Sequence, residues 1–176
     1  MDMYQNILVV IDPTTDEQKA LKRAIELASK IKSSNPEQAI NLTAFFSIFD
    51  FSYEMTTMLS SDEREAMRQS MINDRMQWLE EKIAEIDDHS ITINTSIIWH
   101  NRPFEKIIQK VITEGFDIVI KGTHQHDKFK SVIFTPTDWH ILRKCPCPVL
   151  LVKEHNWPDN GNLLTALNIG SDDDEH

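Results

Sequence analysis

Ile7 to Ile11 is an unbroken apolar run of β-branched character, and four more strand-like segments follow it with helix-period segments between them. A continuous apolar run marks a strand covered on both faces, which is the situation inside a parallel sheet sandwiched by helices. After the turn Asp12-Pro13-Thr14-Thr15, Ala20, Leu21, Ala24, Ile25, Leu27, Ala28 and Ile31 recur at helical spacing. Pro36 ends that helix, because it cannot continue it and disfavours helical geometry at Asn35. Ala39 to Phe49 reads as the second strand, and Asp50 to Ser61 as irregular.

Ser61-Asp62-Glu63-Arg64-Glu65 has the acidic character of a helix start, and Ile72, Met76, Leu79, Ile83 and Ile86 give that helix one apolar face. Ile91 to Trp99 alternates as a third strand. Pro103 opens a helix that Gly115 closes, and Asp117 to Lys121 is a fourth strand. Thr135 to Lys144 is a short helix entered through Pro136, and Pro148 to Lys153 is the fifth strand. The order βαβαβαβαβ predicts an α/β fold: an open parallel five-stranded sheet with helices on both faces.

Charge and cysteine content narrow the function. The chain has 18 Lys and Arg against 28 Asp and Glu, a formal net charge of -10. Such a surface repels a polyanion, and the basic patches are short ones at Lys19, Lys22, Arg23 and at Lys128, Lys130, so no nucleic-acid partner is expected. No apolar stretch approaches the roughly 20 residues that cross a bilayer, so no membrane is expected either. The start, Met1 to Asn6, has the pattern of neither a signal peptide nor an anchor. Two cysteines, Cys145 and Cys147, are too few for a disulfide framework, and the expected location is the cytoplasm. Cys145-Pro146-Cys147-Pro148 lacks the spacing of a redox pair with two intervening residues, and it is read as packing without chemistry.

Residues 1–153 form the expected domain and 154–161 a polar linker. In 162–176, Asn162-Leu163-Leu164-Thr165-Ala166-Leu167-Asn168 echoes Asn6-Ile7-Leu8-Val9-Val10-Ile11-Asp12. The echo reads either as a chance tail or as the first strand of a second, truncated repeat.

Leu8-Val9-Val10-Ile11-Asp12, Asn101-Arg102-Pro103, Asp117-Ile118-Val119-Ile120-Lys121-Gly122-Thr123 and Cys147-Pro148-Val149-Leu150-Leu151-Val152, in that order and spacing, resemble the universal stress protein family. Asp50 to Thr57 and Phe134 to His140 look more narrowly like members that carry two such domains in tandem. The resemblance covers residues 4–153. It implies a Rossmann-like, adenine nucleotide alpha hydrolase-like fold with its cleft at the carboxyl ends of the strands, where open parallel sheets bind ligands.

In nucleotide-binding members, a glycine-rich run after the fourth strand wraps the phosphates: glycine, two residues, glycine, nine residues, glycine, then a small hydroxyl residue. Here Gly122 matches the first glycine, but Gln125, Thr135 and Pro136 stand at the other three positions. Two side chains replace bare backbone and one N–H is missing. The resemblance also places Val10, Ile48 and Lys121 beside an adenine, with Lys121 where an apolar residue is usual. Asp12 matches the acid that contacts the adenosine, and as a residue type it serves equally as a helix cap or turn acid. Thr123, His124, Thr135 and Thr137 could hydrogen-bond some ligand, and Pro136 can begin a helix whose N–H groups attract an anion.

Other clusters read blandly. His124-Gln125-His126-Asp127 is compatible with a metal but reads as a polar loop, so no metal is expected. His100, Trp139 and His140 read as packing and hydrogen-bonding residues near the cleft edge. Met55, Met58, Met67, Met71 and Met76, with Phe51 and Tyr53, form a soft apolar surface that packs as an ordinary helix or takes an apolar ligand near Trp78.

Together these point to a cytoplasmic stress-response domain that binds and assembles without catalysis, with a degenerate nucleotide motif, no catalytic residue and no cofactor, ATP and AMP being disfavoured. The alternatives are an adenine-nucleotide switch or weak ATPase using Asp12, Gly122, Thr123 and Thr137, and an apolar small-molecule binder. The fifth strand, Val149, Leu150, Leu151 and Val152, is expected at a sheet edge, inviting a homodimer or a tandem second domain.

Overall fold

The computed structural model describes residues 4–86, 88, 90–125 and 132–153. The linker at 154–161, the echo at 162–176, and His126, Asp127, Lys128 and Lys130 lie outside the described residues.

Five parallel strands form the expected sheet: β1 (Asn6–Val10), β2 (Asn41–Ile48), β3 (Ile93–Trp99), β4 (Ile118–Gly122) and β7 (Val149–Val152), in spatial order β3-β2-β1-β4-β7. A two-residue pair, β5 (His124–Gln125) with β6 (Val132–Ile133), runs antiparallel outside that sheet and was not anticipated. The helices among the described residues are α1 (Lys19–Ser34), α2 (Phe51–Met55), α3 (Ser61–Ala84), α4 (Pro103–Glu114) and α5 (Pro136–Lys144). The order reverses between β1 and β4, and that is where the carboxyl ends of two adjacent strands open a crevice.

Side-chain alternation divides the interior into two layers. Ile7, Val9, Ile11, Leu42, Ala44, Phe46, Ile118 and Ile120 face α1 and the apolar edge of α3. Leu8, Val10, Phe45 and Val119 face Ile107 and Val111 of α4 and Ile141 of α5. The central strands are buried almost throughout, as unbroken apolar runs require. Although 24 residues long, α3 has one fully buried side chain, Leu79, supported by half-buried Ile72, Met76 and Ile83.

Helix ends follow local chemistry. Ser60 accepts from the Glu63 N–H while the Glu63 carboxylate accepts from the Ser60 N–H, a reciprocal cap that starts α3. α4 starts at Pro103 and ends at Gly115, whose φ of +71° is a left-handed conformation that glycine adopts without side-chain strain. Two local expectations are corrected. Asp50 to Ser61 is not wholly irregular: Asp50 accepts from the Ser52 N–H and caps α2. Asp12 caps no helix, since α1 begins only at Lys19.

At the opposite end of the sheet, Asp117 Oδ2 accepts from the backbone N–H of both Gln5 and Asn6 at 2.8 Å. One carboxylate thereby fixes the entry of β1 beside β4.

Candidate functional site

Val10 ends β1, Lys121 and Gly122 end β4, and Asp12, Thr123 and His124 follow just beyond those ends. Asp12 is a turn acid: its Oδ1 accepts from the N–H and the hydroxyl of Thr14 at 2.9 and 2.6 Å. Gln18 clasps the same turn, donating to the carbonyls of Asp12 and Thr15 and accepting from the Asp12 N–H. The other oxygen, Asp12 Oδ2, lies 3.8 Å from Nδ1 of half-exposed His124. A Cβ at Gly122 would meet nothing within 4 Å, so that position tolerates glycine without requiring it. Thr123 is buried and turned toward β7; its N–H and hydroxyl both donate to the Val152 carbonyl, at 2.9 and 3.3 Å.

Lys121 has the most consequential placement. Strand alternation aims it at α5, and its Nζ lies 2.7 Å from Oδ1 of Asp138, whose side chain is 0% exposed. The second oxygen, Asp138 Oδ2, accepts from the Thr135 N–H at 2.7 Å, and the Asp138 N–H donates back to Thr135 Oγ1 at 3.2 Å. Thr135 is therefore the N-cap of α5, Pro136 stands exposed at the first helical position without an N–H, and Thr137 is half-buried behind it. A helix N-terminus attracts an anion because its first N–H groups have no partners in the helix. Here the chain supplies the anion itself, and Lys121 neutralises it.

Val10 shares the α4/α5 side of the sheet with Lys121, whereas Ile48 packs on the opposite side with the α1/α3 layer. The structure thus brings Asp12 near His124, and Lys121 to Asp138, which Thr135 also engages. The Thr-x-x-Asp spacing of Thr135 and Asp138 is a capping-box signal legible in the sequence; the pairing with Lys121 is not.

A second polar cluster went unread. Glu54 on α2 accepts from Arg68 Nε of α3 at 2.7 Å and from Trp99 Nε1 of β3 at 2.8 Å. Arg68, with help from the Trp99 N–H, holds the Glu54 carboxyl below the usual carboxylate range. Phe49 packs on Trp99 and on Phe51, and Met55 and Met58 are exposed. Trp78, by contrast, packs edge-on against Phe46 and joins Met76 in the core layer.

The histidines anticipated as packing residues do pack. His140 stacks on Phe104 at 4.0 Å, joining α5 to α4, and His100 Nδ1 accepts from the Arg102 N–H at 3.0 Å. Trp139 is half-exposed and meets Phe134 edge-on. Among the described residues, no group of three or more His, Cys, Asp or Glu is placed to hold a metal ion, and no helix is long and apolar enough to cross a membrane.

Strand β7 lies at the sheet edge, hydrogen-bonded on one side to β4. A cleft of about 340 Å³ opens at the amino ends of the strands, lined by Asn6, Asn41, Asn94, Lys110 and Glu114, remote from the crevice.

Comparison with known proteins agrees with this architecture. A family model described as "Universal stress protein family" matches residues 3–153. The chain is 51% identical over all 176 residues to universal stress protein E of Escherichia coli K12, covering 54% of that protein. It is 36% identical over 169 residues to a universal stress protein E homolog of Haemophilus influenzae, again 54% of that protein. The chain thus spans about half the length of these curated relatives. In fold it resembles the universal stress protein UspA structure from Lactobacillus plantarum, with a TM-score of 0.61 at 22% identity, covering 85% of this chain and 98% of the other.

Proposed function

The chain belongs to the universal stress protein family, and we propose that it acts in the cytoplasmic stress response as a non-catalytic binding and assembly domain whose crevice does not take a triphosphate. The observation that carries this reading is the Lys121–Asp138 ion pair at the α5 N-terminus. Asp138 already engages the Thr135 N–H, and a phosphate arriving there meets a carboxylate in place of free donors. Thr123 is likewise spent on Val152.

Assembly is proposed at the β7 edge, through Val149 to Val152, with either a second copy of this chain or a tandem second domain pairing there. The partial coverage of the two-fold longer relatives supports the tandem form.

Thermal melting in the presence of magnesium and ATP tests the ligand part. A ligand present at 100 times its dissociation constant stabilises by about 2.7 kcal/mol, a shift readily measured. An unmoved melting temperature at millimolar ATP is the expected result, and a clear saturable rise would remove this reading in favour of a nucleotide switch.

A further inference from the structure

The connector between α5 and β7 carries Cys145 and Cys147, both free, with Sγ atoms 3.6 Å apart. We propose that they constitute a redox-active dithiol, closed to an intramolecular disulfide by a peroxide and reopened by a small dithiol reductant. A disulfide needs the sulfurs at about 2.05 Å, so closure moves them by roughly 1.5 Å. That is within the reach of side-chain rotation on a half-buried, surface-proximal segment. Spacing alone did not reveal this pair, because a single intervening residue brings two sulfurs together only in some backbone conformations. Cys145 at the helix end, with φ -71° and ψ 127°, and the fixed φ of Pro146 provide one.

The two thiols have different roles. Burial, and then the neighbouring Cys145, push the Cys147 thiol up to about 12, with the Asp117 carboxylate adding to the effect. The thiolate is the nucleophile, and Cys145 is taken as the attacking sulfur, the order that the two serine variants test. Its sulfur attacks the peroxide, the O–O bond breaks, an alcohol or water leaves, and Cys145 becomes a sulfenic acid. Cys147 sulfur then attacks Cys145 sulfur, the S–O bond breaks, and hydroxide departs with the Cys147 proton as water. Two thiols lose two electrons and two protons in all, and the peroxide takes them up.

The location gives closure a consequence. The Cys145 N–H donates the last bond of α5 to the Ile141 carbonyl at 2.9 Å, and the Pro148 carbonyl accepts from the Val119 N–H at 3.0 Å, where β7 joins the sheet. Oxidation is therefore felt by the helix that carries Asp138 and by the edge strand at once. The inference does not depend on the reading of the crevice.

Intact-mass spectrometry of the full chain during titration with hydrogen peroxide, with parallel thiol labelling, tests it. The expected product has lost the mass of two hydrogens, and its labelling falls from two equivalents to none and recovers with dithiothreitol. Cys147→Ser should instead stop at one added oxygen that a diketone trap captures, and Cys145→Ser should stay unreacted over the same interval. Circular dichroism of each variant confirms that it is folded, and alanine replaces serine where it is not. Successive oxygen additions without the two-hydrogen loss, disulfide-linked dimers in place of the monomeric product, or reaction of Cys145→Ser ahead of Cys147→Ser would each overturn the proposal.

Discussion

Lys121 of β4 and Asp138 of α5 are seventeen positions apart in the chain, yet Nζ and Oδ1 meet at 2.7 Å beneath the first turn of the helix. A charge pair with so little exposure is costly to break from one side, because the survivor stays buried without a counterion. Lys121→Met is expected to lower unfolding stability by about 3 kcal/mol, while Lys121→Met combined with Asp138→Asn recovers most of that loss. Urea denaturation midpoints of the two variants decide it; equal losses in both would mean that the pair is not what the charge depends on.

Two helices share the same reciprocal cap, Ser60 with Glu63 and Thr135 with Asp138. Ser60→Ala and Thr135→Ala should each cost about 1 kcal/mol. Only Thr135→Ala is expected to perturb the crevice, which amide hydrogen exchange at the start of α5 would report.

The Glu54 carboxyl is held low by Arg68 and Trp99. Its contribution to stability is therefore present above the ordinary carboxylate pKa and is lost as pH falls through the lowered one. The melting temperature should drop on acidification below about pH 4, and Glu54→Gln should flatten the part of that drop that belongs to α2 and α3. An unchanged acid profile in the variant would show that the cluster does not couple to folding.

The opposite limb belongs to Cys147. A thiol pushed up to about 12 favours the folded state fully below the unfolded thiol pKa, and that advantage disappears as pH rises toward the folded value. Stability should decline between about pH 9 and 12 in the native chain and less steeply in Cys147→Ser, measured by denaturation under reducing conditions.

Much of the architecture was legible because it is written locally. Apolar runs and, for β3, the alternation of Ile91 to Trp99 marked the five parallel strands, the i, i+3 and i+4 recurrence of Ile72, Met76, Leu79 and Ile83 gave the buried edge of α3, and Gly115 marked the end of α4. The two-residue strands at His124–Gln125 and Val132–Ile133 were not legible, being too short for any period to show. In the crevice, residue types were readable but partners were not. Lys121 looked like an odd cation at an apolar position until alternation along β4 and the packing of α5 placed Asp138 opposite it. Glu54, Arg68 and Trp99 sit on three separate elements, and only the tertiary fold brings them together.

The edge strand gives the account a measurable assembly. Sedimentation equilibrium over a range of concentrations is expected to show self-association of the 20.4 kDa chain, or its capture by a second domain added as a separate chain. A monomer at the highest concentrations, unaffected by that second domain in trans, would count against pairing at Val149 to Val152.

The central claim is that the head of α5 holds its own anion, and a crystal structure of the chain grown with magnesium and ATP addresses it most directly. The account predicts that Lys121 and Asp138 remain paired at hydrogen-bonding distance with no ordered triphosphate against Thr135 and Thr137. A triphosphate ordered on those residues, with Asp138 displaced from Lys121, would contradict it.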